Sequence, residues 1–158
     1  MPIEIERKFK VISDEYKKIG KPLNCKQGYL DIENEPLVRV RIMGEKAYLT
    51  LKGKNDGIRR LEFEYEIPVA DANELLSNFC STTLIEKNRY ILSIEETIWE
   101  VDEFLGENFG LVIAEVELSS EDANFSKPSW IGQEVSHDTR YYNYRLIEYP
   151  YSKWNEKK

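Results

Sequence analysis

Two cysteines and a single histidine are all that these 158 residues offer to thiol or soft-metal chemistry. Cys25 and Cys80 lie far apart with no CxxC spacing, which argues against a metal cluster or a disulfide framework and points to free thiols in a reducing compartment. His137 has no second histidine near it, so its Val-Ser-His-Asp-Thr stretch reads as surface loop or helix start rather than a catalytic centre. No apolar run approaches the length of a membrane span, and no apolar signal segment opens the chain. Positive charge is not in excess either: the formal net charge of -7 argues against a duplex nucleic-acid binder, while leaving room for a local cationic pocket. Repeats and low-complexity stretches are absent. The expectation is one cytoplasmic domain over 1–158, without membrane or nucleic-acid partners.

What is present is alternation. With 41% hydrophobic and 32% charged residues, the chain places the two kinds at period two, the spacing of a strand with one apolar and one polar face. Strands are expected at 3–11, 25–32, 37–43, 46–52, 59–69, 86–93, 97–104 and 112–118. Met43-Gly44-Glu45 reads as a short hairpin turn, and Lys54-Asn55-Asp56-Gly57 as a loop. Helices are few. The pattern predicts one over 70–79 with Asp71 as N-cap, another over 119–125 and a third over 138–146, with a short one at 13–19. The end from Lys153 on is expected to fray.

The polar faces carry charge almost throughout. Lys8, Arg39, Arg41, Lys52, Arg60, Lys87 and Arg89 share parity with Glu4, Glu6, Glu62, Glu64, Glu100, Asp102, Glu115 and Glu117. The opposite faces carry residues such as Ile3, Ile5, Val38, Val40, Leu61, Phe63 and Val116. Two arrangements fit. A sandwich would bury the apolar faces and leave the charge in solvent. A closed barrel would turn the charge inward, around a wet tunnel, and cover its apolar outside with helices and a partner subunit. Residue type favours the barrel, because solvated faces usually mix signs along each strand. Here Arg39 and Arg41 are only basic, and Glu115 and Glu117 only acidic. Arginine pairs suit bidentate phosphate contacts, and carboxylate pairs suit a hard divalent cation.

The ordered motifs Glu4-x-Glu6-x-Lys8, Gln27-Gly28-Tyr29-Leu30, Val38-Arg39-Val40-Arg41, Leu49-Thr50-Leu51-Lys52 and Arg60-x-Glu62-x-Glu64 run through the first half of the chain. Glu86-Lys87-x-Arg89-Tyr90, Glu100-x-Asp102-x-Phe104, Glu115-x-Glu117 and Asp138-x-Arg140-Tyr141 follow. In this the chain resembles the CYTH superfamily, the triphosphate tunnel metalloenzymes, and is most similar to its short bacterial inorganic triphosphatases. The resemblance implies a closed antiparallel eight-stranded β-barrel with a few peripheral helices and a triphosphate-containing small molecule as ligand. It also implies a divalent cation, Mg2+ or Mn2+. By the same resemblance, Lys8, Arg39, Arg41, Lys52, Arg60, Lys87 and Arg89 hold phosphate, and Glu4, Glu6, Asp102, Glu115 and Glu117 hold metal. Glu62 and Glu64 orient the bases, with Arg140 reaching the tunnel mouth.

A triphosphate brings roughly four negative charges near neutral pH, and breaking it demands positioning and charge neutralisation. Activation of the attacking water has two readings. The resemblance implies a Lys87–Tyr29 pair, in which a lysine crowded by cations acts as a base. The other leaves Lys87 as a phosphate ligand and gives the activation to a metal held by Glu4 and Glu6. The compact form and Tyr29 favour hydrolysis of inorganic tripolyphosphate to pyrophosphate and phosphate. The alternatives are a class IV-type adenylate cyclase, a thiamine or nucleoside triphosphatase, and a non-catalytic binder of polyphosphate or nucleotide. Leu51-Lys52-Gly53-Lys54 lacks the full P-loop spacing. The apolar outer faces suggest a homodimer.

Overall fold

A computed structural model describes residues 2–80 and 83–154; the tail beyond 154, where fraying is expected, lies outside them. The alternating segments form β1 (Ile3–Val11), β2 (Leu23–Tyr29), β3 (Leu37–Met43), β4 (Lys46–Lys52), β5 (Arg59–Ile67), β6 (Ile85–Ile94), β7 (Thr97–Phe104), β8 (Val112–Glu117) and a short β9 (Ile131–Glu134). Each strand pairs antiparallel in the order β5-β4-β3-β2-β6-β7-β8-β1, and β5 returns to β1 through Ile3↔Leu61, Glu4↔Arg60 and Ile5↔Arg59. The eight-stranded barrel is therefore closed, as expected. β9 adds a ninth strand to the eight that the alternation predicts. It lies along β1 beyond the stretch that pairs with β5, through Phe9↔Glu134 and Val11↔Ile131.

Three apolar clusters show how the outside is covered. Phe9, Tyr90, Trp99, Val101 and Val116 lie on the outer faces of β1 and β6–β8, with Tyr16 of α1 (Tyr16–Ile19), Trp130 and Ile131 packed on them. Val40 and Ala47 are covered by Ala72 and Leu76 of α2 (Val69–Asn78). The third cluster sits on the inner parity. Ile85, Phe104 and Ile113 share the parity of the charged residues on β6, β7 and β8, at one end of each row, and they pack with Val135, Tyr141, Leu146 and Trp154. The C-terminal segment thus packs on the inward-facing side chains at one end of the barrel. Phe63 and Tyr65, on the outer face of β5, stay exposed. No helix among the described residues is long and apolar enough to cross a membrane.

The helices depart from expectation in informative ways. α2 starts behind Pro68, with no side-chain cap, and Asp71 falls inside its first turn. Residues 119–125 are a turn, not a helix: Ser120 Oγ donates to Asp122 Oδ1 at 2.9 Å, and Arg7 donates to the Glu121 carbonyl at 2.9 Å. Short polar side chains that bond locally compete with the helical ladder. The helix expected over 138–146 splits into a 3-10 turn, Thr139–Tyr141, and a short α3 (Arg145–Glu148), with Tyr142 extended between them at φ -75°, ψ 133°. That break decides where Asn143 goes.

Candidate active site

Gly28 sets one wall. A Cβ there would come within 2.7 Å of Leu84 Cδ2 and 3.1 Å of the Cys80 side chain, so any larger residue would make both shift. Its neighbours Gln27 and Tyr29 are buried on the inner parity. Across the barrel the inward residues of β1 meet those of β8 in register, Glu6↔Glu117 and Lys8↔Glu115.

One cavity, about 680 Å³ including its open mouth, brings together Glu4, Glu6, Lys8, Glu115 and Lys52 with Arg60, Tyr29, Lys87 and Arg89. Lys8 pairs with Glu115 and, at 3.3 Å, with Glu6. Burial opposes a charge on Lys8, but Glu115 and Glu6 outweigh it and hold its pKa well above the usual lysine range. Burial would likewise raise Glu115; Lys8 overrides it, and the Glu115 pKa falls to about 2. Lys52 lies between Glu4 at 3.4 Å and Glu62 at 3.0 Å. Arg60 donates twice to the Gly53 carbonyl, at 3.0 and 2.9 Å.

Deeper in the wall, Arg89 holds Asp102 bidentately at 2.8 and 2.9 Å, and Lys87 reaches the same carboxylate at 2.8 Å. Burial would raise Asp102, yet these two cations drive its pKa far below the carboxylate range. Asp102 therefore serves the bases here. Arg39 and Arg41 share Glu64 Oε2, at 3.2 and 3.4 Å, and Thr50 donates to the same oxygen at 2.7 Å. Burial, then Arg39 and Arg89, lower the pKa of Arg41. The Nε atoms of Arg39 and Arg41 are buried and have no hydrogen-bond partner among the described residues. An unsatisfied buried donor costs about 1–3 kcal/mol, and more when charged, so both positions call for an anion.

The carboxylates answer with the opposite excess. Burial, then Glu4 and Glu6, push the Glu117 pKa up to about 7. Burial and Glu115 raise Glu6, and burial raises Glu100 against the pull of Arg89. Acids that resist ionising beside one another are a fit for a hard dication, which takes oxygen donors alone. Among the described residues no group of three such side chains is already placed to hold a metal ion.

Two placements differ from the rest. Arg140 turns to Asp138 at 2.7 Å and stacks over the Trp154 ring at 4.9 Å, so it anchors the C-terminal segment. His137 is exposed. Reading the sequence as a site missed Thr50, Ser136, Tyr142, Asn143 and Tyr144. Thr50 shares parity with Lys52 and was within reach of the same argument. The others come from the C-terminal segment, where nothing in the residue pattern marks them. Ser136 Oγ accepts from the Lys8 backbone N–H at 3.0 Å, in the stretch of β1 between its pairings with β5 and β9.

Residues 2–142 match the CYTH domain. The chain belongs to the CYTH family. It is 53% identical to an inorganic triphosphatase of Acetivibrio thermocellus over 97% of this chain and 98% of that protein. An inorganic triphosphatase of Nitrosomonas europaea is 36% identical, over 90% of this CYTH chain and 95% of its relative. A crystal structure of the inorganic triphosphatase NE1496 superposes with a TM-score of 0.64 at 34% identity, over 90% of this chain and 93% of that one.

Proposed function

We propose that this CYTH protein hydrolyses inorganic tripolyphosphate to pyrophosphate and phosphate, with Mg2+ or Mn2+ as cofactor. The observation that carries the reading is the pair of buried Nε donors on Arg39 and Arg41, without a partner among the described residues, together with acids on β1 and β8 of the same barrel that repel one another. Both excesses are relieved by the same ligand, a polyanion bound with a divalent cation. The names of the relatives favour the inorganic substrate.

Lys8, Arg39, Arg41, Lys52, Arg60, Lys87 and Arg89 bind and orient the phosphates, and Glu62 and Glu64 aim Lys52 and the two arginines. Glu4, Glu6 and Glu117 would hold the cation, with Glu115 beside them and Asp102 reached through the bases. A bound dication supplies charge neutralisation and polarises the bond that breaks. Lys87 and Tyr29 face the same cavity and place the attacking water. Closure of the barrel limits bulk water around these charges and strengthens each interaction. Two free thiols, Cys25 and Cys80, suit a reducing cytoplasm. A homodimer would bury Phe63 and Tyr65, and light scattering would reveal it.

The test is product analysis. Purified protein is incubated with tripolyphosphate, ATP and thiamine triphosphate, each with Mg2+ or Mn2+. Orthophosphate and pyrophosphate from tripolyphosphate are expected. Cyclic AMP with pyrophosphate would overturn hydrolysis, and absence of any turnover would make the protein a binder.

A further inference from the structure

Asn143 enters the cavity from a segment that β-strand parity does not describe. Its Oδ1 accepts from Lys87 Nζ at 2.7 Å and from Gln27 Nε2 at 3.4 Å. Gln27, fully buried, donates through the same nitrogen to Tyr29 Oη at 3.0 Å. Lys87 and Tyr29 are thereby joined by a continuous chain of hydrogen bonds through two amides, over elements far apart in sequence.

We propose that Asn143, acting with Gln27, is a positioning residue that aims Lys87 and Tyr29 at the substrate. The inference rests on the reading of Lys87 and Tyr29 as the water-placing pair. An ammonium has three donors in tetrahedral array. Asp102 takes one at 2.8 Å and Asn143 a second at 2.7 Å. With two directions held, the third is determined, in a side chain that lines the cavity. Asp102 already supplies the counter-charge, so Asn143 is not needed to neutralise Lys87. What it adds is direction.

The segment is built to hold this amide still. Tyr142 is extended between the two helical turns, and its hydroxyl donates to the Ser136 carbonyl at 3.1 Å. Tyr141, one residue earlier, packs edge-on against Trp154 at 5.1 Å. An unbroken helix over 138–146 would lack the extended residue that precedes Asn143. Gln27 is held from the other side, in register with Arg41 of β3 and Ile85 of β6.

The experiment measures kcat and KM for tripolyphosphate with Mg2+, together with melting temperature and tripolyphosphate binding by calorimetry in EDTA. Asn143→Ala is expected to lower kcat about 10- to 100-fold, the cost of a displacement near 1 Å. KM and calorimetric affinity should stay within about threefold. Asn143→Asp keeps the acceptor and should recover most of kcat. In a Lys87→Ala background, Asn143→Ala should cost clearly less than it does alone, only the share that acts through Gln27 on Tyr29. Should Asn143→Ala melt below the assay temperature, Gln27→Glu removes both amide donations at constant volume and must give the same loss of kcat. An unchanged kcat in Asn143→Ala, a rise in KM alone, or a full additional loss in the Lys87→Ala background would overturn the proposal. If Lys87→Ala itself keeps native kcat, the water-placing role of Lys87 fails first. If Lys87→Ala loses kcat while Asn143→Ala does not, the positioning role alone is wrong.

Discussion

Arg89 and Asp102 face each other across β6 and β7 and are joined by two parallel hydrogen bonds of 2.8 and 2.9 Å, both partners buried. Lys87 completes the cluster on the same carboxylate. Asp102 is thus the shared counter-ion of two buried cations. Removing one member of such a cluster strands the others. Asp102→Asn is expected to destabilise the metal-free protein by about 3–5 kcal/mol in urea denaturation. A stability gain in EDTA would instead mark Asp102 as a carboxylate held ready for a cation.

Glu64 makes a pH prediction. Burial would raise its carboxyl, but the Thr50 hydrogen bond and the neighbouring Arg41 and Arg39 bring it below its ordinary value of 4.5. The folded protein therefore binds this proton less readily than the unfolded chain. The resulting stability is complete above 4.5 and fades as the pH falls through the lower folded value. Glu64→Gln should melt below the native protein at pH 7, and the gap should narrow as the pH falls below 4.5. A gap that stays constant with pH would show that Glu64 contributes by packing alone.

Arg39 and Arg41 test the phosphate track. Each carries a buried Nε without a partner among the described residues. Replacing either by lysine keeps a positive charge and removes the planar fork. Loss of one charge-assisted bond is worth about 1.5–3 kcal/mol, so calorimetric affinity for tripolyphosphate should fall about 10- to 100-fold. Unaltered affinity in both variants would remove these arginines from the binding site.

The β6–β7 hairpin turns through Glu95 and Glu96, with φ of 48° and 68°. This left-handed region costs a non-glycine residue about 1–2 kcal/mol. Glu95 is kept in place by Ser126, whose hydroxyl donates to it at 3.2 Å, whereas no hydrogen bond or ion pair of Glu96 is seen among the described residues. Glu96→Gly should stabilise the protein by about 1 kcal/mol, read from the urea midpoint, with turnover unchanged. A lower midpoint would mean that the glutamate side chain contributes more than its backbone strain costs.

Much of this was legible from residue order. Alternation placed eight strands and put Lys8, Arg39, Lys52, Arg89 and Glu115 on one face. It worked because side-chain direction in a strand depends only on parity. Helices were read less well. The polar start at 119–125 looked like a capped helix, but Ser120, Asp122 and Arg7 hold it as a turn. Parity also could not say which acid meets which base. Asp102 has the parity of the metal carboxylates, and only the structure shows that it pairs with Arg89 and Lys87.

Residue order established that each strand has one apolar and one charged face, because both follow from local period and residue type; it left open whether the charged face turns inward. The fold settled both that the charge turns inward and which residues meet. Closure of β5 onto β1 sets the register that brings Lys52 to Glu4. A break after Tyr141 sets Asn143 against Lys87. Those contacts span 48 and 56 residues of chain, and a periodicity of two carries no information over such separations. Packing of the whole barrel supplies it.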